Sequence, residues 1–128
     1  MKYIKLFEDI SDEEKEYYNI NLFDAAQTDD ISDLRIALEN GADIDYQNPE
    51  DGSTALIIAA YYEHHSIIKY LIEHDADWSI KDDDGLDFFD YLRPKTELGQ
   101  RMVEMYIKLY PKQYQSYLLK KDANKYNL

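Results

Sequence analysis

Leu22-Phe23-Asp24-Ala25-Ala26 and Leu56-Ile57-Ile58-Ala59-Ala60 are one pattern written twice, 34 residues apart. The offset persists downstream, where Leu34 falls on Ile68, Leu38 on Ile72, and Ala42-Asp43 on Ala76-Asp77. A repeat of this length is one helical hairpin, which cannot bury its own apolar face and must stack on a copy of itself. The expected architecture is therefore all-α, a short solenoid of stacked helical hairpins. Such a fold presents a surface and seldom carries out chemistry.

Working outward, Ile31, Leu34, Ala37 and Leu38 form one apolar stripe at helical spacing, ended by Gly41; Ile67, Ile68, Leu71 and Ile72 form the second, ended by Asp75. Each hairpin begins with a shorter helix, Leu22 to Gln27 and Thr54 to Tyr62. Asp29-Asp30 breaks the first, and Asp30 or Ser32 caps its successor. Upstream, Ser11-Asp12-Glu13-Glu14 has the form of a capping box and predicts a separate short helix from Asp12 to about Asn19. Met1 to Ile10 fits a turn, strand or helix. Downstream, a third unit opens at Leu86, Pro94 stops its helix, and Thr96 to Tyr110 returns to helical spacing. Pro111 suits the first turn of a last helix, Lys112 to Lys121, with Ala123 to Leu128 fraying. The chain reads as a single domain, 1–128. Its parts are an opening segment (1–19), three repeat units (20–48, 49–81 and 82–110) and a terminal helix with its tail (111–128).

Composition narrows the function. Net charge is −13, unevenly spread: residues 1–92 carry 24 acidic and 6 basic side chains, residues 93–128 carry 3 and 8. An acidic body repels phosphates, disfavouring direct contact with nucleic acid and favouring a basic partner surface. No apolar run approaches the ~20 residues that span a bilayer, and the opening lacks the apolar core of a secretory signal. The chain has no cysteine, which removes disulfides, thiolate metal sites and cysteine nucleophiles. A cytoplasmic setting, with neither membrane nor cofactor, is expected.

The arrangement resembles the ankyrin repeat. Gly52-Ser53-Thr54-Ala55-Leu56-Ile57-Ile58-Ala59-Ala60, then His64, then Ile67 to Ile72, then Ala76-Asp77 stand where that family has its own motif. Asn40-Gly41-Ala42-Asp43-Ile44-Asp45 matches the family's repeat junction. The Leu22 and Asp82-to-Asp90 segments look like amino- and carboxy-terminal capping repeats, so about three repeats are present, followed by a helical C-terminal extension. Departures are Ala55 and Ile57 for the usual Pro and His, Glu63 for a usual Gly, and one extra residue between Asn48 and Asp51. The resemblance implies a non-catalytic adaptor or inhibitor that binds a protein through a concave face lined by finger tips and first helices; the acidic charge makes a basic partner the expected one, and a monomer is expected over an oligomer. Carried over by position, that surface is Gln27 and Thr28; Gln47, Glu50, Asp51, Ser53, Tyr61 and Tyr62; and Lys81, Asp83, Asp84 and Leu86. Paired tyrosines beside acidic fingers suit a hot spot.

Other constellations are weaker. His64 and His65 project differently, and with Glu63 and His74 they supply no third convergent ligand, so no metal is expected. Asp82-Asp83-Asp84-Gly85 lacks the distant Glu of a calcium loop. Tyr106, Tyr110, Tyr114 and Tyr117, interleaved with lysines, read as the apolar side of an end cap rather than a nucleic-acid platform. The opening Met1 to Glu8 is similar to starts of tailed-phage proteins. This raises an alternative: an acidic virus-encoded inhibitor, acting in a host cytoplasm, that mimics nucleic acid to block a host nucleic-acid-binding factor.

Overall fold

The computed structural model describes residues 11–92 and 96–126, and all regular structure among them is helical. The helices are α1 (Asp12–Thr28), α2 (Ile31–Glu39), α3 (Ala55–Tyr61), α4 (His65–Glu73), α5 (Phe88–Tyr91), α6 (Glu97–Leu109) and α7 (Pro111–Tyr126). Expectations for Met1 to Ile10 and for Pro94 lie outside the described residues.

The two copies of the pattern are buried alike. Leu22 and Leu56, Ala25-Ala26 and Ala59-Ala60, and Leu34 and Ile68 all sit in one continuous core. Alanine at the helix crossings lets α1 pack on α2 and α3, and α3 on α4 and α5. Each buried leucine or isoleucine contributes about 1.5–3 kcal/mol of transfer free energy. The backbone repeats as well. Asp29 and Glu63, at the ends of the first helices, have φ of 60° and 59°. Gly41 and Asp75, after the second helices, have 98° and 65°. Both pairs are 34 residues apart, so the hairpin needs left-handed backbone at both of its corners, whichever residue stands there.

Polar contacts between successive units lock the stack. His64 Nδ1 lies 2.9 Å from the Ala26 carbonyl; that oxygen can only accept, so Nδ1 carries the proton. The Asp77 amide donates to Asp45 Oδ1 at 2.8 Å, and the Asp43 amide donates to Asn19 Oδ1 at 2.7 Å.

Two helical boundaries differ from expectation. The separate helices read over Asp12–Asn19 and Leu22–Gln27 are one 17-residue helix, α1. No proline, glycine or competing cap interrupts Ile20-Asn21, so the helix that Ser11 starts continues to the left-handed Asp29. The Ser11 hydroxyl accepts from the Glu14 amide at 3.2 Å and donates to Glu14 Oε1 at 3.3 Å. At the other end, α7 runs through Tyr126, past the Lys121 boundary and through residues expected to fray. Tyr106, Tyr110 and Tyr117 are buried at this end of the stack. Tyr106 packs edge to face on Phe88, while Tyr117 lies beside Phe89.

Candidate functional site

The loops between hairpins form two stacked fingers. In the first, the Asn48 amide donates to the Ser53 carbonyl and the Gly52 amide to the Asn48 carbonyl, both at 2.7 Å. In the second, the Asp82 amide donates to the Leu86 carbonyl and the Gly85 amide to the Asp82 carbonyl, both at 2.9 Å. Each ring in the first finger is one residue larger, which is where the extra residue between Asn48 and Asp51 is absorbed. The fingers are tied together by the Asp83 amide, donating to the Asp51 carbonyl at 2.8 Å. Gln47 adds a bridge, its side-chain N–H groups donating to the Gly52 and Lys81 carbonyls at 3.0 and 3.2 Å.

Between these fingers and the first helices runs a groove of about 750 Å³. Ile20, Phe23, Ile57 and Ile58 supply its apolar lining, and Tyr46, Tyr61, Tyr62 and Tyr91 its aromatic lining. Its carboxylates are Glu16 and Asp24 from α1, and Glu50, Asp51 and Asp82 from the fingers. Among the described residues no lysine or arginine lines it. Tyr61 and Tyr62 end α3 half-exposed, at 50% and 45% of their surface, and meet edge to face at 4.9 Å. Tyr91 joins Tyr61 at 6.0 Å.

Two groove tyrosines are held by carboxylates. The Tyr91 hydroxyl donates to Asp82 Oδ2, and that bond, reinforced by burial and by the charges of Asp82, Asp84 and Asp51, pushes its ionisation well above the ordinary phenol range. The Tyr46 hydroxyl donates to Glu16 Oε1 at 3.0 Å; burial and this bond raise it too. Both phenols are neutral donors at physiological pH.

Of the positions carried over from the family, Gln27, Glu50, Asp51, Ser53, Tyr61 and Tyr62 line the groove. Ser53 is 3% exposed, and its hydroxyl donates to Asp51 Oδ1 at 2.6 Å, so it shapes the finger from inside. Thr28 lies beside a different depression, with Tyr18 and Ile36, and its hydroxyl donates to the Asp24 carbonyl at 2.9 Å. Gln47, Lys81, Asp83, Asp84 and Leu86 are exposed but stand off the groove wall. Glu16, Ile20, Phe23, Asp24, Tyr46, Ile58, Asp82 and Tyr91 line it without having been singled out. The 34-residue offset could have found several of them: Phe23 maps to Ile57, Asp24 to Ile58 and Gln27 to Tyr61.

The histidine rings each have another partner: Ala26 for His64, the Tyr106 hydroxyl at 3.2 Å for His65, and the Tyr70 carbonyl at 2.7 Å for His74. Among the described residues no group of three or more His, Cys, Asp or Glu side chains is arranged to hold a metal ion. No helix there is long and apolar enough to cross a membrane.

Stacked helical hairpins with projecting fingers and a groove beside them define a repeat protein of the interaction type. A family model described as ankyrin repeats (many copies) matches residues 22–72. The ankyrin repeat and SAM domain-containing protein 6 of Mus musculus is 31% identical over 105 residues, covering 73% of this chain and 12% of that protein. Its Rattus norvegicus counterpart is 30% identical over the same coverage. The chain belongs to the ankyrin repeat family. It spans about 12% of the length of these relatives. Ankyrin repeats are a non-catalytic interaction fold whose members bind protein partners.

Proposed function

We propose that this chain is an adaptor or inhibitor that holds a basic protein partner in the groove between its fingers and first helices. The observation that carries this reading is the groove's composition among the described residues: five carboxylates and four tyrosines, with no lysine or arginine. Unpaired like charges brought together repel one another and cost folding free energy, which a cationic occupant offsets. Tyrosine supplies flat amphipathic area with little rotamer entropy to lose, so Tyr61 and Tyr62 serve as anchors, and the acidic fingers select charge. The partner is occluded or tethered, and no bond is made or broken.

The test is affinity capture with the native chain beside a Tyr61→Ala/Tyr62→Ala variant, with melting of both recorded. A basic protein is expected on the native chain and lost from the variant, whose melting changes little because both rings are half-exposed. A lowered melting temperature with unchanged capture would remove the tyrosines from binding. Salt separates this reading from mimicry of nucleic acid, because a mimic loses its partner steeply as salt rises and a tyrosine-anchored complex does not.

A further inference from the structure

Resting on the groove reading above, the geometry points to a more specific occupant: the side chain of an arginine of the partner, in preference to lysine. Asp24 on the helix wall and Glu50 on the finger wall have carboxylates that accept no hydrogen bond and join no ion pair among the described residues. They face the groove from different elements, one on each wall. The Tyr61 and Tyr62 hydroxyls likewise make no hydrogen bond among the described residues, and their rings form an edge-to-face corner at 4.9 Å. Tyr62 stacks one face on His64, at 5.8 Å.

A lysine ammonium is a compact, strongly hydrated charge that gains most where carboxylates converge on one point. A guanidinium is planar and more weakly hydrated, carries five donors in a fixed fork, and stacks on an aromatic face. It can lie on a tyrosine and still direct N–H groups to carboxylates on two walls.

The test uses the full chain and three labelled peptides of identical length, alternating glycine with arginine, lysine or citrulline, followed by fluorescence anisotropy at low salt. The arginine peptide is expected to bind about three- to tenfold more tightly than the lysine peptide, with citrulline weakest. Tyr62→Leu should bring arginine down to the lysine level and leave lysine nearly unchanged, whereas Asp24→Asn should weaken both. Equal binding of arginine and lysine, or a preference that survives both Tyr62→Leu and Tyr61→Leu, overturns the arginine assignment while the basic-partner reading stands. If neither charged peptide outdoes citrulline, both fall. The comparison of the three peptides on the native chain needs no variant, so a folding failure of the tyrosine variants would not block the decision.

Discussion

The hydroxyl of Tyr117 on α7 donates to Oδ2 of Asp87, the residue that caps α5, at 2.7 Å. Asp87 also exchanges bonds with Asp90 in a capping box and is 3% exposed. One phenol therefore fastens the terminal helix to the start of the third hairpin. Burial holds the Asp87 carboxyl above its ordinary value of 3.8, while the Tyr117 hydroxyl and the Asp90 amide oppose the shift. In Tyr117→Phe the buried carboxylate loses a donor, with an expected cost of about 1–3 kcal/mol at neutral pH. A raised carboxyl means the folded chain binds its proton more tightly than the unfolded chain. The contribution is full below 3.8 and is lost as pH rises through the folded value. The variant's deficit should therefore shrink in acid, where Asp87 is protonated. Urea unfolding followed by the fluorescence of Trp78, the sole tryptophan and a core residue at this end, checks it; an equal deficit at both pH values would contradict it.

Asp77 behaves in the opposite sense. Burial works to raise its carboxyl, but Lys120 at 2.6 Å and two bonds from Ser79 prevail and hold it below the ordinary value. Its contribution is present above 3.8 and is lost as pH falls through the lowered folded value. Lys120 is half-exposed, so Lys120→Met should cost less than about 1 kcal/mol, and less again in high salt. Denaturation at low and high salt measures this; a loss well beyond that bound, unmoved by salt, would mean the lysine stem matters through packing.

Gly52 and Gly85 hold equivalent finger positions with φ of +74° and +77°, yet differ in surroundings. A Cβ on Gly52 would meet Asp83 Oδ1 at 2.5 Å and the Asp83 backbone nitrogen at 3.0 Å, whereas one on Gly85 would meet nothing within 4 Å. Gly85→Ala should cost only the left-handed backbone, about 1–2 kcal/mol. Gly52→Ala should cost more, since it also pushes apart the fingers joined by the Asp51–Asp83 bond. Thermal melts of the two variants compare them directly, and equal losses would show that the fingers give way freely.

The buried tyrosines forecast alkaline weakness. Burial, and then the neighbouring Tyr110, push Tyr106 up to about 12 from 10.0. Tyr91, Tyr110 and Tyr117 are raised as well. A phenol raised on folding contributes in full below 10.0, and the contribution is lost as pH rises through the folded value, worth roughly 2–3 kcal/mol for Tyr106. Phenolate absorbance should lag behind that of free tyrosine until the chain unfolds. Tyrosines titrating together near 10.0 in the folded chain would contradict this burial.

The fold was legible because the hairpin repeats in side-chain size and in backbone conformation alike: Leu22 and Leu56, Leu34 and Ile68, and Gly41 and Asp75 hold equivalent places. The join at Ile20-Asn21 was not legible, since the 34-residue offset starts the first hairpin at Leu22, and only the absence of a breaker argues for one helix. The last turn of α7 was hidden for a similar reason: Lys121 to Lys125 is polar, and propensity alone does not reveal how far a docked helix extends. Half of the carried-over site lines the groove. The remainder departs because a finger tip has two sides, and position along the chain does not say which side Lys81, Asp83 or Asp84 faces. Asp82 and Tyr91 came together through a side-chain bond between residues nine apart, which no periodic pattern announces.

On the proposed function, a cationic partner sits in the acidic, tyrosine-lined groove. Amide chemical-shift mapping of the full chain, titrated with the arginine–glycine peptide, tests it most directly. The largest perturbations are expected at Ile20 to Gln27, Asn48 to Asp51 and Ile57 to Tyr62, lost in Tyr61→Ala/Tyr62→Ala. Perturbations concentrated on α2 and α4, or spread evenly over every acidic surface, would contradict it.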